Sequence, residues 1–413
     1  MHDFCAQTLR YTAPSHGDWG LVRIVSLLPE SHIMFVCPAA CGRHGALGAV
    51  DKGYKNRVAY VYVDRSDIIA GYDGCIFDGV AQTLSMLPKR PKCFMVYVSC
   101  LDNLIGTDMD AVVAELNTKY PDIKFNYGRM NPISLEGNTP PAVSTTDAMF
   151  GFLEPAAKEA DSLNMLGNFV DKDHEGELYA FLKSCGINTA RHLSHYSTFD
   201  AYMEMARSAY NLVLSPIAKY AAANLQAKHN TPFLFIPATY DTDEIAENYS
   251  KISAFIGSAA SYDFNADIAE TERAIETAKA ALSDRPVSIS SEAVIKPFTL
   301  ARFLLKRGFN IASVVTEEVA AFDADAYDDV KNQVEVINPL GTDVIDFKHR
   351  RPEVVAIGYD AAYITGSSHI VNLQGDQGLF GYHGTQTLMR LLAEAAMVES
   401  DLKALMDEYG LVV

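Results

Sequence analysis

The chain has 413 residues, too long for a single typical domain, with 49% hydrophobic and 21% charged residues. That balance excludes a disordered chain and a collagen-like or coiled-coil rod. Asp and Glu total 52 against 34 Lys and Arg, a net charge of −18, which disfavours a nucleic-acid partner because neutralising phosphates requires basic patches.

The first residues, MHDFCAQTLRYTAP, lack the basic and apolar segments of a signal peptide. No apolar run reaches the ~18 residues of a membrane span. Seven cysteines is an odd number, and without an export signal they are expected as reduced thiols or metal ligands in a cytoplasmic protein.

Short apolar, β-rich runs then alternate with amphipathic stretches. Strands are predicted at 33–36, 59–63, 93–98, 165–169, 210–214, 233–236, 287–290, 311–315 and 354–358. Flat apolar runs of this length suit parallel strands buried on both faces. Helices are predicted at 108–120, 175–185, 243–256, 268–282, 299–307 and 386–406; in the first, Met109, Val112, Val113 and Leu116 share one face. Such alternation predicts an α/β protein with parallel sheets. Pro-rich breaks near Asn138–Pro141 and Ser283–Pro286 divide it into three α/β blocks, 1–155, 156–284 and 285–413.

Several nucleotide and hydrolase signatures are missing: there is no G-x-x-x-x-G-K-[ST], H-E-x-x-H, G-x-S-x-G or C-x-x-C. Gly42, Gly45 and Gly48 do not have the spacing of a dinucleotide fingerprint. ATP chemistry within this chain alone is therefore not expected.

Six of the cysteines, Cys5, Cys37, Cys41, Cys75, Cys93 and Cys100, fall in the first hundred residues. Cys41 follows the strand predicted at 33–36, and Cys100 ends the one predicted at 93–98. In parallel sheets the carboxyl ends of strands open the functional crevice, so two thiols there can meet at one metal centre. Gly42 lets the backbone approach a bulky ligand. Most free cysteines act as small buried hydrophobes, and Cys75, Cys93 and Cys185 read that way. A zinc site is the alternative metal, though no C-x-x-C pair is present.

The residues around Cys41 and Cys100 resemble the nitrogenase component 1 superfamily, which includes nitrogenase α and β subunits, cofactor-assembly scaffolds and dark-operative protochlorophyllide reductase. The turn Val36-Cys37-Pro38-Ala39-Ala40-Cys41 resembles the family's His-Gly-Pro-x-Gly-Cys. The segment Ile76-Phe77-Asp78-Gly79-Val80 resembles its Gly-rich element. Val98-Ser99-Cys100 followed by Leu104-Ile105-Gly106-Thr107-Asp108 resembles its Thr-Cys and Leu-Ile-Gly-Asp-Asp. Gly381-Tyr382-His383-Gly384 resembles a C-terminal Gly-Tyr-x-Gly.

The resemblance implies three Rossmann-like domains, with the first, 1–155, bearing an iron–sulfur cluster (4Fe-4S or a larger P-cluster-like one) at a subunit interface. It implies a homodimer, or a heterodimer or heterotetramer with a related subunit, and a separate ATP-dependent iron–sulfur reductase resembling the nitrogenase iron protein. The implied function is the cluster-binding subunit of a two-component reductase; the alternative is a cluster or cofactor assembly scaffold. Implied ligands are Cys37, Cys41 and Cys100, with His16 or Cys5 as the fourth. His16 stands where the family has its first cluster cysteine, and histidine ligates iron in Rieske-type centres. Asp18 is a weaker oxygen candidate, and Trp19 is expected to shield the cluster or pack at an interface. Gly42, Arg43 and Gly106 are implied to contact the cofactor, with His44 beside them. By the resemblance, Ser215 replaces a cofactor cysteine and Val371-Asn372 fall where a cofactor histidine is expected, so dinitrogen is not the expected substrate.

Overall fold

The computed structural model describes residues 9, 11, 13, 14, 24–51, 53–130, 140–345 and 348–409. The described residues of 19–169 and 189–235 form one compact unit, and those of 1–18, 170–188 and 236–413 form a second.

The first unit holds two parallel sheets. In one, β1 (Ser31–Cys37), β2 (Val58–Tyr62), β3 (Cys93–Ser99) and β4 (Lys124–Met130) lie in the order β2-β1-β3-β4. In the other, β5 (Glu159–Leu166), β6 (Thr189–His192), β7 (Ser208–Val213) and β8 (Phe233–Phe235) lie in the order β6-β5-β7-β8. The second unit contains β9 (Val287–Ser290), β10 (Ile311–Val315), β11 (Glu335–Ile337), β12 (Val355–Ile357) and β13 (Ile370–Val371), ordered β11-β10-β9-β12-β13. In each sheet the chain starts at a central strand, runs out to one side and returns to the other. That reversal is the topological switch point of a doubly wound fold, and it opens a crevice at the strands' carboxyl ends. The expected α/β class with three Rossmann-like parallel sheets is what the structure contains.

The sequence explains why β1 and β3 are central. All seven residues of each are buried. On one face Ile33, Phe35 and Cys37 join Cys93, Met95 and Tyr97 in a core cluster. On the other, Met34, Val36, Phe94, Val96 and Val98 meet Ile76, Val80 and Leu84 from the helix Asp73–Met86 and Met109, Val112 and Leu116 from the helix Met109–Lys119. Each large apolar side chain so buried contributes roughly 1.5–3 kcal/mol. Arg57 fixes where β1 starts: its guanidinium donates to the carbonyls of Ser26 (2.8 Å), Leu28 (2.7 Å) and Ser31 (3.2 Å).

Several elements differ from the sequence reading. The segment 39–51, with three glycines, is a helix, α1 (Ala39–Asp51). The predicted helix 386–406 is two helices, Gly381–Met397 and Leu402–Tyr409, because Asp401 starts a new turn by accepting from the Lys403 amide at 2.9 Å. Glu177 caps the first of these, accepting the Tyr382 and His383 amides. Asp64 and Asp67 cap the helix Arg65–Ala70 through a reciprocal capping box.

Candidate metal centre

The register of the first sheet decides which thiols can meet. Val36 of β1 pairs with Val98 of β3, so Cys37 lies level with Ser99 and Cys100 follows one residue on. Adjacent strands lie about 4.8 Å apart. The chain leaves β1 through Pro38 and enters α1, whose first turn carries Cys41: the Cys41 and Gly42 amides both donate to the Pro38 carbonyl, at 3.0 and 3.2 Å. Cys37, Cys41 and Cys100 thus gather at the switch point between β1 and β3.

Their environments differ. Cys37 is wholly buried within the apolar core, whereas Cys41 and Cys100 are partly exposed. Burial pushes the Cys37 thiol up to about 12, with the neighbouring Cys41 sulfur adding to the rise. Burial likewise raises the Cys41 thiol, with a further push from Cys100. Each sulfur therefore feels the next, in the order 37, 41, 100. The three sulfur atoms do not all lie within 4.8 Å of one another, wider than one zinc ion with ~2.3 Å bonds would require.

The backbone around these thiols is held firmly. A Cβ at Gly42 would lie 3.2 Å from Cys37 Sγ and 2.7 Å from Tyr60 Cδ2, so only glycine leaves that side of the buried sulfur clear. Cys100 precedes the short helix α2 (Leu101–Ile105). Asp102 in that helix is buried; it accepts from the Tyr72 hydroxyl at 2.9 Å and from Arg129 Nε at 3.3 Å. Gly106 ends the helix in the left-handed region at φ 75°, its amide donating to the Asp102 carbonyl at 2.8 Å. A Cβ there would meet nothing within 4 Å, so in this structure Gly106 serves the turn.

Arg43 is exposed on α1. Cys93 is buried with its Sγ 3.8 Å from the Pro29 carbonyl, Cys185 is buried, and Cys75 is partly exposed beside Asp67 and Asp78. His16, Cys5, Asp18 and Trp19 lie outside the described residues, as does the His44 side chain. Ser215 is buried at the end of β7, and Gly167, at φ 98°, passes so close that a Cβ would lie 2.9 Å from the Ser215 nitrogen.

The donor set fits an iron–sulfur core in kind and place. Such clusters take thiolates at dry, rigid sites, and the three thiols stand at the ends of two neighbouring buried strands, with a glycine keeping the innermost one clear. Burial opposes thiolate formation at Cys37 and Cys41, and a bound cationic core would favour release of their protons.

Three parallel sheets, one with thiols gathered at its switch point, define an α/β protein of the doubly wound class. The model of the family described as nitrogenase component 1 type oxidoreductase matches residues 19–397, and the chain belongs to that family. It is 21% identical over 249 residues to the nitrogenase iron-molybdenum cofactor biosynthesis protein NifE of Clostridium pasteurianum, covering 57% of this chain and 52% of that one. It is 25% identical over 193 residues to the nitrogenase molybdenum-iron protein alpha chain of Methanococcus maripaludis, covering 44% of this chain and 40% of that one. The chain spans about half the length of the curated relatives it matches. A solved structure titled nitrogenase Cp1 at pH 6.5 superposes with a TM-score of 0.70 at 14% identity, over 96% of this chain and 94% of the other, which shows the fold. The family includes oxidoreductases and assembly scaffolds; its members bind iron–sulfur clusters, and the family forms multi-subunit complexes that work with an iron protein. Among the described residues no helix is long and apolar enough to cross a membrane.

Proposed function

We propose that this chain is the cluster-bearing subunit of a nitrogenase-like two-component reductase. Cys41 and Cys100 are its principal iron–sulfur ligands, Cys37 the third, and His16 or Cys5 the fourth. The observation that carries this reading is the gathering of three thiols at the β1–β3 switch point. A bound cluster would supply one-electron transfer. The chain's own residues hold the thiols in register, exclude water on the core side through Phe35 and Tyr97, and keep one face clear at Gly42. Arg43, exposed one residue on, is placed to face solvent or a partner.

The reductase is proposed to act as a cytoplasmic, oxygen-sensitive dimer, or with a related subunit, and to receive electrons from a separate ATP-dependent iron–sulfur protein. Ser215, in the position that resembles a cofactor cysteine, supports a substrate other than dinitrogen. The similarity to NifE supports a second reading, a scaffold that holds a cluster for delivery. Mixing the anaerobic protein with a reduced nitrogenase-type iron protein separates the two. ATP-dependent reduction of the bound cluster with repeated turnover is expected of the reductase. Transfer of the intact cluster to an acceptor, with no turnover, would replace that reading with the scaffold.

A further inference from the structure

Within the first unit, β4 and the helices α3 (Pro141–Phe150) and α4 (Lys219–His229) line a cavity of about 650 Å³. No cysteine lines it, so it is separate from the thiol site. Tyr220, Asn224 and Lys228 recur every fourth residue of α4 and therefore share one face. Opposite stands Asp147 of α3, whose Oδ1 accepts a 2.7 Å hydrogen bond from Asn224 Nδ2.

The charges of this cavity are unevenly satisfied. Arg129 is bonded to Asp102 at 3.3 Å and lies over the Tyr127 ring. Asp110 accepts from the Tyr127 hydroxyl at 3.1 Å, and Glu154 is paired with Lys124. Asp147, beyond its Asn224 hydrogen bond, and Lys228 sense each other across the cavity, yet neither makes an ion pair with a described residue. Burial raises the Asp147 carboxyl above its ordinary range, outweighing the Asn224 hydrogen bond and the Lys228 charge, which lower it. Next to Lys228, His229 Nδ1 is buried without a partner among the described residues. Burial, then the charges of Lys158 and Lys228, lower the affinity of this ring for a proton, which favours the neutral form, with one N–H donor.

A carboxylate without an ion pair, across from an ammonium with an imidazole next to it, is complementary to a ligand carrying an ammonium and a carboxylate of its own. Charge-assisted hydrogen bonds of this kind are about twice as strong as neutral ones. The cavity falls within the usual ~300–1,000 Å³ of small-molecule sites, so it also accommodates a side chain, and Tyr127 and Tyr220 in its lining favour an aromatic or large apolar one. We propose that this cavity binds a free α-amino acid with an aromatic or large apolar side chain, its ammonium on Asp147 and its carboxylate on Lys228 and His229.

Calorimetric titration of the full chain with L-phenylalanine and L-leucine tests this without reference to any cluster. Saturable binding of one of them is expected. It should weaken about tenfold or more, some 1.4 kcal/mol, in Asp147→Asn and in Lys228→Gln, and for N-acetyl-L-phenylalanine and L-phenylalaninamide, which each lack one charge. Lys228 is exposed, so its variant keeps the test valid should Asp147→Asn fold poorly. No saturation by either amino acid at about 10 mM, undiminished binding to the Lys228→Gln protein, or equally tight binding of the N-acetyl compound would overturn the proposal.

Discussion

Gly42→Ala places a methyl group at the tightest point of the thiol site. Two effects compete. Alanine is better than glycine in a helix interior by about 0.8–1.0 kcal/mol, and Gly42 lies within α1. Against this, the new Cβ would sit 2.7 Å from Tyr60 Cδ2, 3.0 Å from Tyr60 Cγ and 3.2 Å from Cys37 Sγ. The Tyr60 contacts are at the root of the ring, where a rotamer change gives little relief, and Cys37 is wholly buried. Overpacking of this kind costs about 1–3 kcal/mol, so a net destabilisation of about 0–2 kcal/mol is expected. More telling, the displaced Cys37 sulfur should lower the iron retained after anaerobic purification. Gly45→Ala is the comparison: the three atoms nearest its Cβ, at 2.9–3.3 Å, all belong to the Phe35 ring and none is a sulfur, so it should strain the same helix and lower the iron less than Gly42→Ala does. Denaturant melts report the stability, and iron assay reports the site. If Gly42→Ala gains the full helix-propensity benefit and keeps its iron, the cradle around Cys37 is not what the distances imply.

Other outcomes follow from the same structure. Cys93→Ala should keep its iron and cost about 1 kcal/mol, as a small core truncation does. Arg57→Met leaves the carbonyls of Ser26, Leu28 and Ser31 without their donor and should cost about 2–3 kcal/mol in a denaturant melt. Burial, with the charge of Arg57, lowers His32 to about 4 from 6.5. A group whose folded value is depressed contributes stability that is fully present above pH 6.5 and is lost as pH falls from 6.5 to 4; the loss amounts to roughly 3 kcal/mol. His32→Leu, which removes a ring whose Nε2 has no partner, should flatten that part of the stability–pH curve; an unchanged slope would contradict the assignment.

What the sequence revealed follows from how each element is buried. β1 and β3 are covered on both faces, so their flat apolar runs are readable directly. β4, KFNYGRM, is an edge strand with polar residues on both faces and carries no such run. α1 was hidden by its glycines, which are there for close approach: Gly42 lies against Tyr60 and Cys37, and Gly45 against Phe35. The placing of Cys100 at a strand end was legible, whereas Cys41, read into the turn after β1, lies in the first turn of α1. That β3, rather than another strand, lies beside β1 was not, since strand order depends on contacts between distant segments. The same holds for the Asp147–Asn224 bond, whose partners are 77 residues apart.

The central claim is that the thiols at the ends of β1 and β3 grip one inorganic core. Protein purified anaerobically from iron-replete cells should be brown and contain iron and acid-labile sulfide, with both lost in Cys41→Ala and in Cys100→Ala. Colourless, iron-free protein from the same cells, or variants that retain the full iron and sulfide of the parent, would contradict it.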